Sequence, residues 1–223
     1  MSRADAPPAA MHAPLDAYDA SPYLPRRGGL PAYRRAAVDC RGCPLFEHAT
    51  QTVLGKGDPS ARIVVVGEQP GDQEDRQGEP FVGPAGRLLR KVLGEAGIDV
   101  QAAYLTNVVK HFKFSQETPG KRRIHKAPSL REMSACRPWL IAELHLVRPD
   151  VVVALGATAG KALLGGSFRV TKDRGALIPM ADEDGGRHVV ATIHPSAVLR
   201  ANDREAAYAG LLADLKVAAK ALG

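Results

Sequence analysis

A three-layer α/β/α fold around a central, mainly parallel four-stranded sheet is the architecture that this 223-residue sequence predicts. Two observations carry the prediction. Four short runs rich in valine, isoleucine and alanine recur along the chain, and stretches of helical periodicity fill the gaps between them. Strands that alternate with helices pair in parallel through crossovers, which leaves helices on both faces of the sheet.

Taken in order, residues 1–30 are rich in Ala, Pro, Asp and Arg without sustained periodicity and read as a flexible tail. Residues 31–223 form a single domain, opening with a short helix over Ala32–Val38. Strands are predicted at Arg62–Val66, Ala103–Val109, Asp150–Leu155 and His188–Ile193. Helices are predicted at Pro84–Ala96, Ser129–Val147, Ala157–Leu164 and Asn202–Leu222, the last with Asn202 as its N-cap. No internal repeat is present.

No run approaches the roughly 18 consecutive apolar residues of a membrane span, and the N-terminus lacks a basic region followed by an apolar core. A cytoplasmic monomer without a membrane partner is expected. The net charge of +6 and the isoelectric point near 9.4 point to a polyanionic partner. The distribution is more specific. Between Lys110 and Lys126 lie Lys110, Lys113, Lys121, Arg122, Arg123 and Lys126, with Glu117 as the single acid. Phe112, Phe114, His111 and His125 are interleaved among them, a mixture suited to phosphates and unstacked bases. A solvated charged face is the plainer reading of such a run.

The segment Gly67 to Gly86, G-E-Q-P-G-D-Q-E-D-R-Q-G-E-P-F-V-G-P-A-G, follows the first strand. Loops at the carboxyl ends of parallel strands carry ligand sites in open α/β sheets. Glu68 is a candidate general base or electrostatic stabiliser and Phe81 a candidate stacking platform; alone, each reads equally well as a solvated acid and a core aromatic. The segment lacks the Gly-Lys-Ser/Thr ending of a Walker loop. Glu68 and Gln69 after the first strand, Lys110 and His111 after the second, and His194-Pro195-Ser196 after the last should converge at one sheet edge.

Cys40 and Cys43 form a C-x-x-C pair and Cys136 stands alone. Three thiols cannot all pair within one chain. An iron–sulfur cluster, a zinc site, and a redox pair beside a buried thiol are equally compatible with this spacing.

The strings G-E-Q-P-G-D, F-V-G-P-A-G, T-N-V-V-K, C-R-P-W-L and H-P-S, in this order from about Cys40 to Leu222, resemble the uracil-DNA glycosylase superfamily, specifically its iron–sulfur branch. Two departures resemble its UdgX-type subgroup. His111 stands directly after T-N-V-V-K, where the ordinary iron–sulfur enzymes carry a third cluster cysteine, and an added loop contains Lys121-Arg122-Arg123-Ile124-His125.

The resemblance implies the following roles. Cys40, Cys43, His111 and Cys136 would be ligands of a structural four-iron four-sulfur cluster; histidine ligation has precedent in Rieske centres. Phe81 would stack on an extruded uracil and Asn107 would read its polar edge, with Gln69 and Asp72 supporting the base pocket. His194 would stabilise the departing base, and Glu68 the sugar cation. His125 would attack the sugar and leave a covalent link to uracil-containing, preferably single-stranded, DNA. Its basic neighbours should disfavour the charged imidazole. Lys110, Lys121, Arg122, Arg123, Lys126 and Ser196 would hold DNA, and Val198 or Leu199 would fill the space left by the flipped base. A conventional hydrolytic glycosylase and a DNA-damage-binding protein without bond cleavage are the competing readings.

Overall fold

The computed structural model describes residues 18–118, 120–181 and 186–223. Along the chain, α1 (Leu30–Ala37) precedes β1 (Lys56–Gly57), β2 (Ile63–Gly67), α2 (Asp72–Gln77) and α3 (Pro84–Glu95). Next come β3 (Ala103–Asn107), β4 (Phe114–Ser115), β5 (Ile124–His125), α4 (Leu130–Val147), β6 (Val151–Leu155) and α5 (Gly156–Leu164). The chain closes with α6 (Val170–Asp173), β7 (Leu177–Pro179), β8 (His188–Thr192), α7 (Pro195–Arg200) and α8 (Arg204–Lys220).

The main sheet has the order β1-β3-β2-β6-β8-β7. Its four central strands are parallel and are the four expected ones; antiparallel β1 and β7 extend the sheet to six strands. Both edge strands are two or three residues long and mostly exposed, so they carry no apolar alternation to read. All five residues of β2, β3 and β6 are buried, the pattern of strands covered on both faces.

The period of two divides these residues between two cores. Val64, Val66, Tyr104, Val152, Ala154, Val189 and Ala191 face a cluster that contains Trp139, Leu140 and Leu144 of α4, Leu30 of α1 and all three cysteines. Ile63, Val65, Leu105, Val151, Val153 and Val190 face the other, with Leu89, Val92 and Leu93 of α3 and Leu211 and Leu215 of α8. This is the expected three-layer arrangement.

Several boundaries moved for identifiable reasons. β3 ends at Asn107 because Val108 N–H and Val109 N–H donate to the carbonyls of Gly67 and Glu68, at 2.9 and 3.0 Å, in the loop beyond β2. α8 is capped by Asp203, whose carboxylate accepts from Ala206 N–H at 2.9 Å; Asn202 is not the cap. α4 has the capping box its sequence announces, with Ser129 and Glu132 exchanging side-chain and main-chain bonds.

Of the stretch read as a tail, residues 1–17 lie outside the described residues. From Tyr18 onward the chain packs on the domain: Ala20 is buried and donates to the Ala135 carbonyl at 3.0 Å, and a Cβ on Gly42 would lie 2.6 Å from Ala20 Cα. The described part of that stretch, residues 18–30, therefore packs on the domain. Among the described residues no helix is long and apolar enough to cross a membrane.

Leu211 is fully buried between α8 and the sheet. Leu211→Ala is expected to cost about 2–5 kcal/mol through lost burial and a residual cavity. Urea unfolding should show a lower midpoint with an unchanged slope.

Candidate active site

The register of β2 and β3 builds the centre of the site. Gly67 pairs with Asn107, so both strands end level and their following residues project from the same edge. A Cβ on Gly67 would meet Asn107 Oδ1 at 2.4 Å and Phe81 Cζ at 2.7 Å, so the carboxamide and the aromatic ring close over a position that only glycine can occupy. Phe81 is itself held in the left-handed region at φ 58°, and the space needed by its carbonyl is supplied by Gly86, where a Cβ would lie 2.0 Å from that oxygen. Glu74 ties the two ends of this loop together by accepting from Gly83 N–H at 2.7 Å and Gly71 N–H at 3.1 Å.

The resulting cavity, of about 550 Å³, is lined by Glu68, Gln69, Phe81, Asn107, His125 and His194, together with Ser196, Thr158 and Arg200. Of the residues expected to converge, Glu68 and Gln69 after β2 and His194 and Ser196 after β8 line this cavity, whereas Lys110 and His111 after β3 are buried away from it and that strand contributes Asn107 instead. Thr158 is an addition to the expected set, although its signal is present: β6 is a fourth parallel strand, and the first turn of α5, which follows it directly, opens on the same edge. The Thr158 hydroxyl donates to Glu68 Oε2, leaving Oε1 toward His125 Nε2 at 3.4 Å.

His194 caps α7. Its Nδ1 accepts from Ser196 N–H at 3.1 Å and lies 2.8 Å from Ser196 Oγ. An amide can only donate, so Nδ1 is the bare nitrogen and the neutral ring carries its proton on Nε2. Burial, followed by the charges of Arg200 and His125, pushes the imidazole down to about 4. At neutral pH it is an uncharged donor.

His125 reaches the cavity on a β4–β5 hairpin, in which it pairs with Phe114. The basic run, expected as a loop, contains two strands of two residues each, too short to show a period. Gln69 holds both arms: its amide donates to the carbonyls of Lys113 and Lys126 and accepts from Lys113 N–H, each at 3.1 Å. Gln69 therefore lines the cavity and clamps the hairpin at once.

Arg123 anchors the hairpin to α2. Its guanidinium donates to Asp72, to buried Asp75 at 2.6 Å and to the Asp72 carbonyl at 3.2 Å, while lying 4.9 Å from the Phe114 ring centroid and 5.3 Å from that of Phe112. Partial burial raises the Asp72 carboxyl, but its bonds to Arg76 and Arg123 outweigh this and hold it below its ordinary value.

Four assignments are corrected by these placements. Asp72 does not line the base cavity, because Arg76 and Arg123 draw its carboxylate to the hairpin. Arg123 is an internal anchor with a side chain 7% exposed, which leaves Lys121, Arg122 and Lys126 as the exposed cations of this run. Lys110 has no exposed surface and pairs with Glu143 at 2.5 Å, so it cannot meet DNA phosphates. Val198 is buried in the core beside α3 and α8, and Leu199 is half-buried; neither stands out as a wedge.

Cys40, Cys43 and Cys136 are free and buried in one cluster, and His111 is buried nearby in sequence to Cys136's partner Lys110. Burial above all pushes the Cys43 thiol up to about 11, against a main-chain bond from Leu45, and Cys136 up to about 12, against the charge and N–H of Lys110. Trp139 Nε1–H donates to Cys40 Sγ at 3.2 Å, and Lys110 N–H to Cys136 Sγ at 3.3 Å. Buried sulfurs with N–H donors suit thiolate ligation of a cation. Among the described residues, however, no three His, Cys, Asp or Glu side chains stand as a ready metal-ligand set.

The lowered His194 value gives a signed expectation. The unfolded ring takes up its proton near 6.5 and the folded ring only near 4. Its contribution to stability is complete above about pH 6.5 and is lost as pH falls toward 4. Nitrogen-15 NMR of the histidine rings should show His194 neutral with the proton on Nε2 at pH 6; a ring titrating at its ordinary value would contradict this.

A model of the Uracil DNA glycosylase superfamily matches residues 54–216. A type-4 uracil-DNA glycosylase of Thermotoga maritima is 42% identical over 167 residues, covering 74% of this chain and 81% of that protein. One from Archaeoglobus fulgidus is 34% identical over 169 residues, covering 74% and 80%. A type-5 uracil-DNA glycosylase of Thermus thermophilus is 32% identical, covering 74% and 86%. With this match across most of its length and a glycine-closed cavity at the ends of four parallel strands, the chain belongs to the uracil-DNA glycosylase superfamily.

Proposed function

We propose that this chain excises uracil from DNA, preferably single-stranded, and that His125 then takes the place of the base on the sugar. The observation that carries the second half is the position of His125 Nε2, 3.4 Å from Glu68 Oε1 inside the cavity shared with Phe81, Asn107 and His194. In a hydrolytic enzyme, Glu68 would face a water molecule.

A base buried in a stack must be extruded before its glycosidic bond can be reached, at a cost of about a few kcal/mol that single-stranded DNA largely avoids. Phe81 offers its ring to the uracil face. Asn107 offers a donor and an acceptor, matching uracil O4 and N3–H and mismatching cytosine, whose polarity is reversed. As the bond to C1′ breaks, its electron pair leaves on the base. The neutral His194 donates Nε2–H to this anion, an interaction typically worth about 3 kcal/mol. Glu68, oriented by Thr158, stabilises the positive sugar from the other side.

His125 Nε2–H then gives its proton to Glu68 and its lone pair to C1′. A carbon–nitrogen bond to imidazole replaces the one to uracil, and the proton passes onward to the departed base. Charge and atoms balance without water. Lys121, Arg122 and Lys126 are exposed beside the cavity and serve the DNA phosphates.

Cys40, Cys43, His111 and Cys136 are the residues to hold a four-iron four-sulfur cluster. When bound it supplies a structural cross-link between the segment after α1 and the T-N-V-V-K turn, since glycosidic cleavage moves no electrons. The buried sulfurs and their N–H donors support this assignment. Purified protein should be brown with broad visible absorbance and contain iron and sulfide; a colourless zinc protein would reject it.

Denaturing gels test the covalent step. Incubation with a uracil-containing single strand should yield a heat- and detergent-stable adduct that His125→Ser abolishes. Release of free abasic DNA by the unaltered protein would favour the hydrolytic reading, and no reaction at all would favour mere damage binding. Gln69→Ala, which frees both hairpin arms, should slow adduct formation by up to about a hundredfold, the cost of displacing a reacting group by about 1 Å. Single-turnover time courses would measure both steps.

A further inference from the structure

Beneath the cavity, the turn after β3 closes on a pair of charges with no exposed surface. Lys110 Nζ donates to Glu143 Oε2 at 2.5 Å, to Thr106 Oγ1 at 2.8 Å and to the main-chain carbonyl of Asn107 at 2.5 Å. All three ammonium hydrogens are used. Glu143 is equally occupied: Oε2 also accepts from the Thr106 hydroxyl at 2.8 Å, and Oε1 accepts from Gly55 N–H at 2.7 Å and the Tyr104 hydroxyl at 3.0 Å. Thr106 thus donates to one partner and accepts from the other, closing a ring around the end of β3.

Packing alone does not explain this ring. Two charges taken out of water lose several kcal/mol of hydration each, and apolar residues of the same volume often stabilise a core as well or better. The ring sits directly under Asn107, however, whose carboxamide is pressed against Gly67 on its other side. The same turn is fixed at Lys110 by its N–H to Cys136 Sγ, at 3.3 Å, and by its carbonyl, which accepts from Val53 N–H at 2.8 Å. An amide that discriminates between two bases by donor and acceptor polarity works only if its plane is held in one orientation.

We infer that Lys110 and Glu143 are positioning residues for base recognition: the pair fixes the main chain of Asn107 and thereby aims the amide that reads the uracil. This rests on the assignment of Asn107 as the base-reading residue. The lysine of T-N-V-V-K acts from beneath the pocket, on the protein's own backbone.

A double variant, Lys110→Met with Glu143→Gln, tests the inference without leaving a buried charge unpaired. The glutamine carbonyl still accepts from Gly55 and Tyr104, and its amide meets Thr106. Single-turnover uracil release, with protein in excess, is measured in the unaltered and Asn107→Ala backgrounds, with thermal midpoints alongside. The expected result is a loss of about tenfold in the first background and less than twofold in the second, because neighbours that act through one group are not additive. An unchanged rate, or the same factor in both backgrounds, overturns the inference. If the double variant does not fold, Thr106→Val is carried through the same cycle, with a smaller loss expected that again vanishes in Asn107→Ala; additive losses overturn it. If unaltered protein neither releases uracil nor forms an adduct, the assignment of Asn107 falls with it, a result separate from the cycle.

Discussion

Parallel registration of β2 and β3 is the constraint on which the rest of the molecule depends. Because Gly67 and Asn107 are paired, the amides of Val108 and Val109 meet the carbonyls of Gly67 and Glu68, and both strands stop together. Everything chemical is hung from that shared end: Glu68 and Gln69 from one strand, Asn107 from the other, with Phe81 folded back across the glycine between them. β6 and β8 continue the same register and deliver Thr158 and His194 to the same edge. A slip of one residue would exchange the two cores and carry each of these groups to the wrong face.

Charge is distributed in this protein by burial as much as by composition. The basic excess suggests a surface that meets a polyanion, yet two of the cations in the richest stretch are spent inside. Lys110 sits under β3 with Glu143, and Arg123 ties the hairpin to Asp72 and Asp75. His194 shows the opposite use of burial, which keeps its imidazole uncharged at neutral pH. Within that stretch the cations left exposed are Lys121, Arg122 and Lys126, on the hairpin that carries His125.

The four parallel strands and the major helices were legible because long apolar runs and caps such as Ser129 state their own period. So was the convergence of Glu68 and His194, which follows from chain order and the handedness of crossovers, whereas Lys110 and His111, expected beside them, turn inward. What could not be read were features decided by a few atoms. β1, β4, β5 and β7 are too short to carry a pattern. The inward turn of Lys110 depends on Glu143, 33 residues away on α4, and no local signal distinguishes it from its exposed neighbours. Thr158 was overlooked although β6 pointed to it. The segment after Tyr18 reads as a tail because the residues that pack it, Tyr18, Ala20, Tyr23, Leu24 and Leu30, show no regular period among its prolines and arginines.

The manner in which Gln69 holds the hairpin has a consequence for how this protein can vary. Its three bonds reach only main-chain atoms of Lys113 and Lys126, so they are indifferent to which side chains stand there. Side chains at Lys113 and Lys126 can therefore change without loosening this clamp, whereas Arg123 between them ties the tip to Asp72 and Asp75 by its own guanidinium. The base of the hairpin thus tolerates substitution, while its tip depends on the identity of a single arginine.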